Sequence, residues 1–226
     1  MTRIIQTVTT LQMSFFSSVL DDTRRWISSI TRAQLPSIPV KQKIVELRQL
    51  MKTPYVHSSH EEMLINLHTM IRLHTRQEFM ENEFCRSGLC WKAIGFQHED
   101  PESDFRGGGL LSLQNLNFFL AYHGEEASAL IRRRFERSNG ANYPWAAAGI
   151  NITRMIASCF ELVSSNGYTT VTVYTAKVYW DLLLLDPNAY DRLYVVAFRI
   201  LDAEFTASSG SYMTFPTILQ VRSDIH

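Results

Sequence analysis

Trp91–Phe118, WKAIGFQHEDPESDFRGGGLLSLQNLNF, divides at three consecutive glycines into halves of opposite character. After the glycines, Leu110, Leu113, Leu116, Phe119 and Leu120 recur at helical spacing, which predicts a helix with one apolar face turned inward. Before them no period holds. Arg106 stands between an acid, Asp104, and Gly107–Gly109, and the reading is an exposed Gly-rich loop. Glycine takes backbone conformations that other residues avoid and lets main chain approach a neighbour closely. The helix start places N–H groups there as a weak anion site. Trp91, Phe96 and Phe105 read as buried anchors of the loop, with ligand contact as the alternative.

The same helical period runs through the rest of the chain. Val40, Ile44, Leu47 and Met51 share a face behind Pro39. Ser59 and Glu62 form a capping-box pattern ahead of Met63, Leu67, Met70 and Ile71. Trp145, Ile152, Ile156, Cys159 and Val163 follow Pro144, and Asp186-Pro187 opens a stripe through Tyr190, Leu193, Ala197, Ile200 and Leu201. Only Tyr168–Thr175, YTTVTVYT, alternates as a strand does. The fold class expected is therefore all-α, a single multi-helix domain, with room for one short strand near 168–175. Residues 1–55 are expected to form helices packing on a core at 56–226, one structural unit overall. Leu35–Pro39 reads as a hinge and Ala207–Ser211 as a small-residue loop.

A chain of 226 residues with 46% hydrophobic content can bury a sizeable core. Its formal charge of zero gives no global field toward nucleic acid or an anionic membrane. Three cysteines make no disulfide framework. Met1–Leu20 makes a poor signal peptide, and the apolar run Val178–Leu201 is broken by Asp181, Asp186, Pro187, Asp191 and Arg192. The expectation is a protein without a transmembrane segment in a reducing compartment.

Other motifs carry less. No Walker lysine follows the glycines, and no βαβ context surrounds them. His57 with His60, and Cys85 with Cys90, lack the spacing of a metal site, so no metal is expected and the histidines read as surface residues. No nucleophile motif is present. Arg132, Arg133, Arg134 and Arg137 leave Arg133 and Arg137 opposite the apolar Ala127, Ile131 and Phe135, a solvated face that is at most a weak steering patch. Asn151-Ile152-Thr153 is a formal sequon on a helix.

Trp91, Gly95-Phe96-Gln97, Pro101, Asp104-Phe105-Arg106-Gly107, Gly109, Leu113, Leu116 and Phe119 together resemble the signature of the ELMO domain, in its GTPase-activating branch. Tyr143–Ala146 with Gly149–Thr153 resembles a second segment of that family, and Tyr212-Met213, Phe215 and Ile218-Leu219 its final helix. The similarity covers about residues 60–222. It implies a GTPase-activating protein for Arf-family or Arf-like small GTPases, with Arg106 as a catalytic finger. The partner carries the GTP and Mg²⁺, and the chain has no cofactor of its own. ELMO scaffolds that work with Dock-type exchange factors lack this arginine, so a non-catalytic adaptor in trafficking or cytoskeletal signalling is the alternative. A cytoplasmic location is implied, with the cytosolic face of endomembranes and a peripheral membrane contact left open.

Trp91, Gly95, Phe96, Gln97, Pro101, Asp104, Phe105, Gly107 and Gly109 then bind the partner or shape the loop. Asp104 either orients the guanidinium or only fixes the turn. Gln97 positions water or a partner loop, or bonds backbone within the turn. His98 and Asp100 fall at variable positions and receive no role. Ser103 stands where the family usually has threonine and keeps the hydroxyl.

Overall fold

Leu110, Leu111, Leu113, Leu116, Phe119 and Leu120 are each 7% exposed or less, and the helix they stripe is the axis on which the other elements pack. The computed structural model describes residues 38–75, 80–136, 143–160, 162 and 173–207. In chain order the elements are α1 (Ile38–Lys52), α2 (His57–His74), α3 (Leu89–Ala93), a 3-10 helix (Pro101–Gly107), α4 (Gly109–Glu136), α5 (Trp145–Cys159), α6 (Val173–Leu185) and α7 (Ala189–Ala207). Helices α1, α2, α5 and α7 pack around α4, and the 3-10 helix lies against both α4 and α5. The fold is all-α. No strand occurs among the described residues. Val173–Thr175 open α6, and the remainder of the strand-like stretch, 168–172, lies outside the described residues. So do residues 1–37, with most of the expected hinge, and 208–226, with the expected final helix.

Each helix buries one face, which the predicted stripes mark only in part: Met51, Met63, Met70, Leu193, Ala197 and Ile200 are half-buried. Val40, Ile44 and Leu47 line the inner side of α1, Leu64, Leu67 and Ile71 that of α2, and Tyr190, Tyr194, Phe198 and Leu201 that of α7. The start of α2 departs from expectation. Its N-cap is Val56, three residues ahead of Ser59, and the imidazole of His60 reaches back to accept the Val56 N–H at 3.2 Å. A ring nitrogen thus does what the glutamate side chain does in a capping box, accepting the N-cap N–H. Helix α4 breaks at His123, where φ is −137° and ψ 38°. The following Gly124 leaves room for the His74 ring, which a Cβ there would meet at 2.2 Å.

A buried polar chain joins three helices. The Asn115 amide donates to Asp191 (2.9 Å), the Thr153 hydroxyl donates to the Asn115 carbonyl (2.9 Å), and the Tyr190 hydroxyl donates to the Thr153 main-chain oxygen (2.8 Å). Burial pushes the Asp191 carboxyl above its usual range, against the lowering pull of Lys43 and of the Asn115 bond. The arginine run is not simply solvated. Arg133 pairs with Asp202 of α7, which also accepts from the Tyr143 hydroxyl at 3.2 Å, and Arg132 donates to the His74 carbonyl at 3.2 Å. Arg137 lies outside the described residues. Asn151 sits within α5 and donates back to Ala147.

Candidate functional site

The signature is held from beneath by aromatic rings. Trp91 and Phe105 are fully buried and Phe96 is 4% exposed. Ring centroids run from Tyr55 to Phe105 at 5.3 Å, from Phe105 to Phe96 at 5.6 Å and from Phe96 to Trp91 at 5.6 Å. The last two contacts are edge-on, the arrangement that the ring quadrupole favours. Trp91 satisfies its indole N–H on the Cys85 carbonyl at 3.0 Å. The three aromatics are anchors.

Two glycines pin the ends of the segment. At Gly95 φ is +103°, and an added Cβ would lie 2.5 Å from the Trp145 nitrogen. That closeness lets the Ile94 and Gly95 carbonyls accept from Ala146 and Ala147 at 3.2 Å, which satisfies first-turn donors of α5 that Pro144 has no side chain to cap. At Gly109 φ is +55°, and a Cβ would meet the Met51 carbonyl oxygen at 2.4 Å. Next to it the Leu110 N–H donates to the Thr53 oxygen at 2.9 Å. The close approach that both glycines allow is to the chain's own helices.

Between the pins the segment is a 3-10 helix. Asp100 caps it, accepting from the Glu102 N–H at 2.9 Å, and Pro101 occupies its first turn, buried, where no donor is needed. Near its end stand Phe105, turned inward, and Arg106, exposed. Among the described residues no hydrogen bond or ion pair engages the Arg106 guanidinium. Asp104 does not hold it. The Asp104 side chain is 3% exposed, accepts the Gln97 N–H at 2.6 Å and pairs with the His98 imidazole, which also contacts the Ser103 hydroxyl at 2.9 Å. Of the two roles open to Asp104, these bonds are those of a residue that fixes the turn. Gln97 contributes its backbone to that bond and leaves its side chain exposed.

Three supporting residues lie outside the sequence expectation. His98 and Asp100, assigned no role from sequence, brace the turn as described. His57 is not a surface histidine: its side chain is 15% exposed, with Nε2 at 3.1 Å from Asp100 and 3.3 Å from Glu102. Its Nδ1 meets the Tyr55 hydroxyl at 3.0 Å. In the neutral ring the carboxylates require the proton on Nε2, so Nδ1 accepts from Tyr55. Asp100-Pro101-Glu102 carried a readable signal, an N-cap acid before a first-turn proline. Nothing local connects His57 to it.

The cysteine pair also converges. Cys85 and Cys90 bring their sulfurs to 3.5 Å, and Glu81 places a carboxylate oxygen within 4.8 Å of both. Burial, then the neighbouring Cys85, pushes the Cys90 thiol up to about 12, which keeps it protonated and a poor nucleophile at neutral pH.

A family model, ELMO/CED-12, matches residues 45–219, from within α1 to beyond α7, and so includes the whole of this pinned turn. The chain belongs to the ELMO/CED-12 family. Within that family it is 28% identical over 200 residues to ELMO domain-containing protein C of Dictyostelium discoideum, covering 85% of this chain and 30% of that protein. It is 30% identical to the Ankyrin repeat and ELMO domain-containing protein D of the same organism, over 81% of this chain and 14% of that one. To ELMO domain-containing protein 2 of Mus musculus it is 34% identical, over 54% of this chain and 39% of that one. The chain thus spans less than a third of the first two relatives. No solved structure matches it. Among the described residues no helix is long and apolar enough to cross a membrane.

Proposed function

We propose that this ELMO-family chain activates GTP hydrolysis on a small GTPase of the Arf or Arf-like group, with Arg106 entering the partner's active site as an arginine finger. The observation that carries the proposal is a contrast between neighbours: Arg106 is exposed and no described residue pairs with it, while Phe105 is fully buried. A guanidinium is always cationic and its planar fork matches phosphate oxygens. Held ready on an ordered turn, it meets charge developing on the transferring phosphoryl group without reorganising its own support. Fingers of this kind are worth about 10³–10⁵ in rate, roughly 4–7 kcal/mol of barrier. The nucleotide and Mg²⁺ belong to the partner, and a cytoplasmic site of action on the cytosolic side of endomembranes is part of the proposal.

The test is single-turnover hydrolysis by purified Arf-family and Arf-like GTPases with and without the chain. Arg106→Lys keeps the charge and loses the fork, so it is expected to abolish nearly all of the stimulation. Full activity in that variant sinks the finger. Tighter binding to a GTPase carrying a transition-state analogue than to its GTP form is the companion expectation. Indifference to the analogue would leave an adaptor.

A further inference from the structure

Gly107 has a purpose that the turn itself does not explain. Its φ is not in the left-handed region, so any residue can adopt its backbone. What a side chain there would meet is Arg154: a Cβ on Gly107 would sit 3.0 Å from its Cδ, 3.4 Å from Nε and 3.5 Å from Nη1. Arg154 lies one turn beyond Ile150 on α5, and Ile150 approaches the neighbouring Gly108 from the same helix face. The missing side chain at 107 therefore lets the stem and head of a second arginine lie over the backbone next to Arg106. Arg154 is exposed, and no described residue pairs with its guanidinium.

Most other exposed arginines of the body are paired. Arg86 is bound to Glu61, Arg133 to Asp202, Arg192 to Asp186 and Arg199 to Glu126. Arg106 and Arg154 are thus two cations beside one turn of main chain with which no described residue pairs. The acids nearest in sequence to Arg106 are committed elsewhere, Asp104 to Gln97 and His98, and Glu102 to His57.

We infer that Arg154 is a docking residue of the Arg106 surface, which takes a carboxylate on the surface of the partner GTPase and so sets affinity, where Arg106 sets rate. The inference rests on the proposed reading of Arg106. An acidic group of the partner that docks beside this turn is attracted by the Arg154 cation. A charge at the edge of an interface acts mainly on encounter and on salt dependence. The phosphates of the bound nucleotide remain with Arg106.

The full chain and its Arg154→Ala, Arg154→Glu and Arg154→Lys variants separate these roles, measured for binding to GTP-loaded Arf-family and Arf-like GTPases and for single-turnover stimulation across a salt series. Arg154→Ala is expected to raise the half-saturating concentration about tenfold, the worth of one charge-assisted hydrogen bond, with the saturated rate unchanged and a shallower salt dependence. Arg154→Glu should weaken binding further, and Arg154→Lys should recover most of it. Binding and salt dependence unaltered in Arg154→Ala would overturn the inference and leave the finger standing. A fall in the saturated rate without a change in half-saturation would overturn it as well. If the wild-type chain binds a GTPase without stimulating it, the finger reading fails while the Arg154 comparison still decides by affinity. If it binds no GTPase of the panel, both fail.

Discussion

The inner and outer sides of the signature turn obey different rules. The inner side, Trp91, Phe96 and Phe105, is buried like the centre of the helical body, with edge-on rings and a satisfied indole N–H. The outer side presents Arg106 and Arg154 to solvent, and no described residue pairs with either. A cation that is to meet a partner's phosphate must be free of its own chain's carboxylates yet carried by a backbone that does not wander. Burying Phe105 beneath it, with Asp104 and Glu102 engaged elsewhere, achieves both. The difference teaches that readiness at the outer side is bought by order at the inner one.

The comparison can be broken at either side, and the expected effects fall in sequence. Arg106→Lys acts on the outer side alone. It is expected to remove about 10³–10⁵ of stimulated hydrolysis with an unchanged melting temperature. Phe105→Ala acts on the inner side alone. It should cost about 3–5 kcal/mol of stability, read by denaturant unfolding, and lose stimulation only as far as the turn loosens. If Phe105→Ala proves as stable as wild type, the anchoring account fails. Asp104→Ala lies between the sides. Loss of its bond to the Gln97 N–H is expected to cost about 1.5–3 kcal/mol by thermal melting, with stimulation reduced but not abolished. A loss of activity as large as that of Arg106→Lys would mean that Asp104 acts on the guanidinium after all.

The smallest effect sharpens the contrast from a distance. Asp191 is a buried acid whose carboxyl is raised by desolvation, so the folded state holds its proton more tightly than the unfolded chain does. Its contribution is therefore favourable at low pH and is lost as pH rises from the ordinary carboxylate range, near 4, through the raised value. Asp191→Asn keeps an acceptor for Asn115 and removes the titration. Melting temperatures across pH are expected to decline less in that variant than in wild type, and parallel curves would refute this.

Much of the body was legible from period alone. The stripes at Val40–Leu47, Leu64–Ile71 and Leu110–Leu120 needed only the rule that a helix buries what recurs every three to four residues. The start of α2 was not, because the helix begins after Val56, which has no capping side chain, and an imidazole four residues on accepts the N-cap N–H. At the site, the aromatic anchors were visible as residue types, while Arg106 stood out only through the resemblance to the family signature. The bracing of Asp100 by His57, and the seat of Arg154 on Gly107, were not. Both are contacts between elements remote in the chain, and no local spacing encodes which helix a turn will meet. The reading of the glycines shows the same limit. Sequence identifies positions that tolerate close approach, while the structure shows that at Gly95 and Gly109 the neighbour is the protein's own backbone.

Gly109, wedged against the carbonyls that end α1, also works as a datum from which the arginine is measured. Three steps of chain separate the two, and each added step along a 3-10 helix turns a side chain by about 120°. One residue inserted between Arg106 and Gly109 would swing the guanidinium around the rim while the body beneath kept its shape. A length change there would disarm the protein more cleanly than many substitutions inside its core.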